Sequence, residues 1–200
     1  MKDHIRRHLS ESVVVKQSAI AACSDAIVQA VQLIIDSFRA GGKLLICGNG
    51  GSAADSQHFA AEFVSRLTKD FDRPALPAIA LTTNTSVLTA YANDVSFEGI
   101  FARQVEALGK PGDVLFGIST SGNSGNVIRA IETARAAHLR SIALLGQGGQ
   151  LAILADVVIA VPSRDTQYIQ ETHLAIEHIV CALVEQELFS QKQSEPPGSA

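Results

Sequence analysis

Residues 43–53, KLLICGNGGSA, set the pattern that the rest of the chain repeats. The stretch begins with a short apolar run, turns through a glycine-rich loop and continues into sequence with helical spacing. Four further apolar runs, each closed by a loop, lie at residues 77–81, 114–118, 141–145 and 157–161. Strands that are apolar along their whole length are typical of a sheet that is buried on both faces. The alternation therefore predicts an α/β fold with a five-stranded parallel sheet flanked by helices.

Segments with helical spacing lie between and around these runs. Helices are predicted at residues 53–67, 86–91, 99–108, 127–137 and 166–188. Before the first strand, apolar residues recur at helical spacing and a glycine pair follows, which predicts a long opening helix or a pair of helices. The last helix is apolar on more than one side, which indicates packing between subunits as well as on the sheet.

The length and composition fit one domain. The chain has 200 residues, of which 46% are hydrophobic, and a formal net charge of -4. This charge provides no basic field for a polyanion, so we expect no direct nucleic-acid partner. No run approaches the roughly 20 apolar residues of a membrane span and no export signal is visible, so we expect a cytoplasmic protein with no membrane partner. The three cysteines lack CxxC spacing and are expected to be buried.

The expected organisation has three parts. Residues 1–40 form a helical segment that packs on the core and in an oligomer. Residues 41–190 form the main domain, and residues 191–200 form a short polar tail that we expect to be disordered.

A hydroxyl-rich turn, STSGNS at residues 119–124, follows the third predicted strand. It lies just before a predicted helix, whose free backbone amides and dipole attract an anion. The turn therefore suits a phosphate monoester. The alternative is a turn that only caps the helix, because serine and threonine are favoured at such positions in any case.

The loop after the first strand, GNGGSA at residues 48–53, formally matches the G-x-G-x-x-A pattern of dinucleotide-binding folds. Such an enzyme presents Asp or Glu to the ribose at the end of its next strand, whereas that strand here ends in LTTN, residues 81–84. We interpret the loop instead as a backbone cradle for sugar hydroxyls, with Asn49 and Ser52 as donors. Ser52 and Asp55 also resemble a capping box.

Two pairs of polar side chains share helix faces. His58 and Glu62 are four residues apart, so both project from one side of the helix after the glycine loop. Gln170 and His178 lie about 80° apart around the last helix and about 12 Å apart along it. Taken alone, the His58–Glu62 pair fits a salt bridge as well as a metal site, and a helical histidine is often a surface or hydrogen-bonded residue.

Together, these motifs resemble the sugar isomerase (SIS) domain family and, within it, the phosphoheptose isomerases. The resemblance extends from about residue 42 to residue 188. It rests on CGNGGSAAD at 47–55, QHFAAE at 57–62, AND at 92–94, GISTSGNS at 117–124 and IQETH at 169–173. It implies a single SIS domain with a flavodoxin-like three-layer sandwich and an N-terminal helical extension.

The resemblance also implies roles for individual residues. One zinc ion per subunit would be bound by His58, Glu62, Gln170 and His178. The phosphate would be bound by Ser119, Thr120, Ser121 and Ser124. The rest of the substrate would contact Asn49, Gly50, Gly51, Ser52, Glu62, Asn93, Asp94 and Gln170.

The implied reaction converts D-sedoheptulose 7-phosphate to D-glycero-D-manno-heptose 7-phosphate, the first step of heptose synthesis for lipopolysaccharide or surface glycans. Glu62 and His178 would be the catalytic acid/base pair on the way through an enediolate. A homotetramer with active sites at subunit interfaces is also implied. The distance of about 12 Å along the helix axis between Gln170 and His178 is long for two ligands of one ion. We therefore expect an irregular turn near Gln170 or ligands from two subunits.

The chain departs from the family pattern at two places. After the fourth strand the family usually has Thr-Gly-x-Asp-Gly-Gly, whereas residues 145–149 are LGQGG, one residue shorter and without the hydroxyl and the carboxylate. Asn84 stands where relatives commonly have Asp.

Three alternatives remain open at this stage. Some SIS-domain relatives are regulators that bind the DnaA replication initiator without catalysis and lack the acid/base pair, whereas this chain has both Glu62 and His178. A pentose or hexose phosphate is a second possible substrate class. Nickel, cobalt or manganese is an alternative to zinc on ligand type alone.

Overall fold

The computed structural model describes residues 1–69 and 72–189. Five strands form one sheet in the order β2-β1-β3-β4-β5, and each neighbouring pair is parallel. This is the strand order of flavodoxin-like doubly wound sheets, so the predicted fold class is confirmed. The strands are β1 (Leu44–Gly48), β2 (Ala78–Ala80), β3 (Val114–Ser119), β4 (Arg140–Leu145) and β5 (Val157–Ala160).

Seven α-helices and one 3-10 helix, Phe97–Gly99, surround the sheet within the described ranges. The opening segment is a single long helix rather than a pair. The short helix α6 follows the glycine loop after β4 and was not predicted. The helices are α1 (Lys2–Arg39), α2 (Gly51–Val64), α3 (Thr85–Asp94), α4 (Ala102–Leu108), α5 (Gly125–Ala136), α6 (Leu151–Leu154) and α7 (Thr166–Phe189). The tail predicted to be disordered, 191–200, lies outside the described residues.

Alternate residues of the strands face two separate cores. On one face, Ile46, Phe116 and Ile142 pack with apolar residues of α1, α2 and α7. On the other face, Leu45 and Leu115 pack with α4 and α5. Since successive side chains of a strand point to opposite faces, a sheet covered on both sides requires the nearly continuous apolar runs that the sequence contains.

Helix α1 is more apolar than the sequence analysis expected. It contains an 18-residue window with mean hydropathy 1.6, which by length and composition is enough for a membrane span, and 39% of that window is buried. The expectation that no segment reaches this composition was therefore wrong for α1. The buried side of the helix packs against α7 and β5, so α1 is a core helix of the domain that also exposes apolar residues.

The three cysteines lie in the interior, as predicted. Burial raises the pKa of the Cys47 thiol to about 12 and also raises the pKa values of Cys23 and Cys181. Because the thiolate is the reactive form, all three side chains act as small hydrophobic groups.

The sheet determines where a ligand can bind. β1 and β3 are neighbours, with Gly48 paired to Ile118 at their carboxyl ends. The helix after β1, α2, packs in one core, and the helix after β3, α5, packs in the other. The chain therefore leaves these two neighbouring strands toward opposite faces of the sheet. Open α/β sheets bind ligands at such a topological switch point. The glycine loop and the hydroxyl turn therefore lie side by side at this edge.

An aromatic cluster supports α2 on the sheet and generates a stability prediction. Phe59 is fully buried, with its ring centroid 5.1 Å from that of Phe63 and 5.0 Å from that of Phe116. Phe59→Ala is expected to lower the free energy of unfolding by about 3–5 kcal/mol, because it creates a cavity in the core. Urea unfolding checks this. The matched control is Phe97→Ala, since Phe97 is 60% exposed. Equal losses of unfolding free energy in Phe59→Ala and Phe97→Ala would contradict the placement of Phe59 in the core.

Candidate active site

The hydroxyl turn connects β3 to α5. Ser119 is the last residue of β3 and is buried, whereas Ser124 is the N-cap residue of α5. Their hydroxyl oxygens are 2.9 Å apart. Ser121 is exposed, and its hydroxyl accepts a hydrogen bond from the backbone amide of Asn123. Hydroxyls and the start of a helix thus converge as the sequence predicted, which suits an anion.

The shortened loop after β4 supports the backbone of this turn. The amide of Gly146 donates to the carbonyl of Thr120 at 3.1 Å, and the amide of Leu151 donates to the carbonyl of Gly122 at 3.0 Å. The amide of Gln150 donates to Asn123 Oδ1 at 3.0 Å. The loop therefore holds the turn through backbone contacts, which do not require the missing hydroxyl and carboxylate.

The glycine loop leads from β1 directly into α2. Gly50 is the N-cap residue with a φ of 56°, a left-handed conformation that favours glycine. The predicted capping box was wrong, because no side chain caps this helix, while Ser52 lies inside the first turn and is only 3% exposed. A Cβ built on Gly51 would lie 2.6 Å from Gln170 Nε2, so the side chain of Gln170 covers Gly51.

A reciprocal amide pair joins the glycine loop to the hydroxyl turn. Asn49 Nδ2 donates to Asn126 Oδ1 at 2.7 Å, and Asn126 Nδ2 donates to Asn49 Oδ1 at 2.8 Å. Asn126 is 2% exposed and lies in the first turn of α5. Each amide keeps one N–H and one acceptor lone pair free for other contacts. Asn126 was not predicted from the sequence, and the signal for it is an amide residue two positions after the hydroxyl turn.

His58, Glu62 and His178 meet between α2 and α7. The two histidine Nε2 atoms are 2.9 Å apart, and Glu62 Oε1 is 3.3 Å from His58 Nε2. One ligand atom from each of the three residues lies within 4.8 Å of the others. His58 is exposed, while Glu62 and His178 are half-buried. Two imidazoles and a carboxylate are a donor set that suits zinc, so the residues present fit a metal ion.

Gln170 lies on α7 two turns before His178. Helix α7 is continuous from Thr166 to Phe189, so the predicted irregular turn near Gln170 is absent. Gln170 contacts the first turn of α2 at Gly51, whereas His178 contacts His58, two turns farther along both helices. The separation is about 12 Å along the axis.

Two other predicted contact residues lie at the end of α3. Asn93 and Asp94 are exposed, and Asn93 Nδ2 donates to Asp94 Oδ1 at 2.8 Å. Helix α3 packs chiefly against the 3-10 helix. Within one chain these residues therefore belong to a different surface from His58 and His178. Asn84 caps α3 by accepting a hydrogen bond from the Val87 amide, which requires no charge.

Buried ionisable groups lie between α2 and α7 beside the site. Burial and, to a smaller extent, the nearby Asp55 together raise the pKa of Glu177 to about 9. Burial also raises the pKa of Asp55, while His58 acts in the opposite direction. Burial lowers the pKa of His173 to about 4, with the backbone of Leu145 opposing the shift. Glu177 and His173 are thus uncharged at neutral pH, which avoids the cost of burying isolated charges.

The arrangement provides groups for proton transfer and for anion binding. A carboxylate and imidazoles within hydrogen-bonding distance can exchange protons with a substrate. The hydroxyl turn offers several donors to an anion at a helix start. These are the groups required to move a proton between carbons of a phosphorylated, polar substrate.

Known proteins show the same fold and similar sequences. The family model for the SIS domain matches residues 8–146. A phosphoheptose isomerase from Geobacter sp. (strain M21) is 53% identical over 190 residues, which cover 94% of this chain and 98% of that protein. The solved structure of the phosphoheptose isomerase from Neisseria gonorrhoeae has a TM-score of 0.87 and 44% identity, and covers 92% of this chain and 98% of that chain. The corresponding structure from Francisella tularensis has a TM-score of 0.88 and 38% identity, with coverage of 92% and 97%.

The hydroxyl turn is sensitive to one glycine. Gly122 has a φ of 66°, and a Cβ there would collide with the carbonyl of Gly148 and lie 3.1 Å from the Cα of Gly149. Gly122→Ala is therefore expected to cost about 1–2 kcal/mol for the left-handed conformation and about 1–3 kcal/mol more for overpacking. Thermal unfolding measures the loss. Gly148→Ala is the matched control, because its φ is +86° and nothing lies within 4 Å of the added Cβ. Equal losses of thermal stability in the two variants would contradict the close contact between Gly122 and the Gly148 carbonyl.

Burial of His173 predicts a pH dependence of stability. Its pKa is about 4 in the folded chain and 6.5 for a free histidine, so between these values the unfolded chain binds one more proton. This contribution to stability is complete above pH 6.5. It is lost as the pH falls through 4, by up to about 1.4 kcal/mol per pH unit.

Urea unfolding of the wild type and His173→Leu from pH 7 to pH 4 tests this. The leucine removes the titrating group and keeps the volume approximately constant. As the pH falls, the unfolding free energy of the wild type should therefore decrease more than that of His173→Leu. A difference that stays constant over the whole range would show that His173 does not titrate as described.

Proposed function

Because the chain belongs to the SIS domain family, we propose that it is the aldose–ketose isomerase that converts D-sedoheptulose 7-phosphate to D-glycero-D-manno-heptose 7-phosphate. The observation that carries this assignment is the meeting of Glu62 with His178, which supplies an acid/base pair on a scaffold that also has a phosphate-binding turn. The name phosphoheptose isomerase of relatives that are about half identical over most of the chain supports the heptose substrate.

The reaction moves a carbonyl from C2 to C1 of the sugar. A base must remove a proton from the carbon next to the carbonyl and return it to the neighbouring carbon, and an enediolate lies between these steps. In the proposed mechanism the Glu62 carboxylate carries the carbon-bound proton. The His178 imidazole exchanges protons with the sugar oxygens. The hydroxyl turn (Ser119, Thr120, Ser121 and Ser124) holds the phosphate, so that binding energy positions the reacting carbons.

The loop from β1 would hold the middle of the sugar chain. Gly50 and Gly51 allow a close approach to the backbone, and Asn49 is oriented by its reciprocal pair with Asn126. We assign sugar contacts to Asn49, Gly50, Gly51, Ser52, Asn93, Asp94 and Gln170. Ser52 would contribute mainly through its backbone, because its side chain is buried.

Zinc is the metal that we propose for the His58, Glu62 and His178 group. The ligand set of two imidazoles and one carboxylate is typical of zinc, and Gln170 is the proposed fourth ligand. When bound, a zinc ion supplies a Lewis acid that polarises a carbonyl oxygen. His58 then has a binding role, while Glu62 and His178 serve both binding and proton transfer.

A homotetramer with sites between subunits accounts for the exposed apolar surface and the dispersed site residues. Ile5, Leu9 and Val28 of α1 are each more than half exposed, and Ile179 of α7 is 46% exposed. Between the two helices lies an apolar groove of about 280 Å³. Since Gln170, Asn93 and the His58 group are separated along one chain, a neighbouring subunit would bring complementary residues together.

The proposed place of the reaction is the cytoplasm, at the start of heptose synthesis for lipopolysaccharide or surface glycans. The competing function, a non-catalytic regulator that binds the DnaA initiator, has no support from these relatives. The chain also has both members of the acid/base pair, which the regulators lack.

Isomerase activity is tested by incubating the purified protein with sedoheptulose 7-phosphate and zinc and following aldoheptose formation by NMR. Glu62→Gln and His178→Ala are each expected to lower kcat by about 10²-fold or more, because each removes a proton carrier. Both should still bind inorganic phosphate, because the hydroxyl turn is unchanged. Metal analysis of the pure protein checks the zinc assignment separately.

The matched control is Glu132→Gln, which makes the same chemical change at an exposed carboxylate on α5. It should retain wild-type kcat. A wild-type protein that remains inert with added zinc but captures the DnaA initiator would replace the isomerase proposal with the regulator.

A further inference from the structure

A buried arginine links the backbone of Glu62 to the helix that carries His178. Arg73 lies beyond the end of α2, and its side chain has no solvent exposure. Its NH2 atom donates to the carbonyl of Glu62 at 2.8 Å, and its NH1 atom donates to the carbonyl of Phe63 at 2.8 Å. The last carbonyls of a helix have no partner within the helix, so Arg73 satisfies two of them in the final turn of α2.

The other side of the guanidinium binds α7. Arg73 Nε donates to Glu185 Oε1 at 2.6 Å, and its NH2 atom is 2.5 Å from the same oxygen. Glu185 is 4% exposed and also accepts a hydrogen bond from the amide of Leu67 at 3.3 Å. It follows His178 by seven residues, about two turns and about 10 Å along α7. The ion pair therefore ties the end of α2 to α7 just beyond the reacting pair.

We propose that Arg73 and Glu185 are positioning residues that set the distance between the Glu62 carboxylate and the His178 imidazole. This inference rests on the proposed function. Both side chains are buried; Arg73 acts through the backbone of α2 and Glu185 acts through Arg73. Because a guanidinium has several donors in a fixed plane, it can hold Glu185 and two carbonyls at once, which a lysine ammonium cannot do with the same geometry.

A purely stabilising ion pair makes different predictions. Replacing a buried ion pair by apolar side chains is often neutral for stability, so stability alone does not reveal the role. If the pair positions Glu62, its loss should lower kcat more than it raises KM, since the phosphate is held elsewhere, by the turn between β3 and α5. It should also weaken cation binding by His58, Glu62 and His178, because supporting contacts orient metal ligands.

The decisive variant is Arg73→Lys in the full chain, measured for kcat, KM and stability. We expect kcat for sedoheptulose 7-phosphate to fall by about 10- to 100-fold, as displacements of about 1 Å do, while KM changes by less than about threefold. Glu185→Gln keeps the shape and one acceptor oxygen and should show a smaller loss in the same direction. Arg73→Met/Glu185→Met removes the connection without leaving one charge unpaired.

A matched control is the buried pair at the opposite edge of the sheet. Lys43 Nζ is 2.5 Å from Asp113 Oδ2, and Asp113 also accepts hydrogen bonds from the amides of Lys43 and Lys110. Asp113→Asn breaks a comparable ion pair far from the site. It should lower thermal stability and leave kcat unchanged at temperatures where the variant is folded.

A second readout does not depend on turnover. Calorimetric titration with Co²⁺ should give about tenfold weaker binding for Arg73→Lys and unchanged binding for Asp113→Asn. The positioning role is overturned if a folded Arg73→Lys, Glu185→Gln or double Met variant keeps both wild-type kcat and wild-type Co²⁺ affinity. If the wild type binds Co²⁺ but converts no heptose phosphate, the proposed function fails, and the Co²⁺ affinities still decide whether Arg73 positions Glu62.

Discussion

The contact between α2 and α7 on one face of the sheet is the constraint on which the proposed chemistry depends. Both helices follow strands of the same parallel sheet, so they run in the same direction and lie side by side. Their pairing brings Gln170 to Gly51 and His178 to His58. A rotation of either helix by one residue would move a side chain about 100° around the axis and separate the imidazoles. The aromatic cluster around Phe59 and the Arg73–Glu185 pair hold this alignment from within the core and at the end of α2.

Several ionisable groups are also buried near the site. Glu177 and His173 lie in the interior and are uncharged at neutral pH, whereas Arg73 and Glu185 form an ion pair at short distance. In a medium of low polarity, neutral groups and paired charges are the two states that cost least. The partly exposed cluster of His58, Glu62 and His178 is accessible to solvent, a cation or a substrate.

The anion-binding turn and the acid/base pair lie at two different places in the fold. The hydroxyl turn and the glycine loop lie at the carboxyl edge of the sheet, where β1 and β3 diverge and the amides of Asn49 and Asn126 connect them. The acid/base pair lies two helical turns away, on an outer surface shared by α2 and α7. Exposed apolar side chains of α1 and α7 form a further surface of the chain.

The sequence by itself determined the strand and helix alternation and the parallel sheet, because apolar periodicity and glycine punctuation are local properties of a chain. The roles of most candidate residues came from the resemblance to the SIS domain family. The sequence also identified the hydroxyl turn and the His58–Glu62 pair, whose members are close along the chain. Asn126 and Arg73 were not predicted, since their partners Asn49 and Glu185 are far away in sequence. The predicted capping box does not form because α2 begins earlier than predicted, with Gly50 as its N-cap residue. Only the tertiary structure decided that Gln170 lies over Gly51 while His178 meets His58. The reason is that the relative alignment of two helices is fixed by packing on a common sheet, which no spacing within either helix encodes.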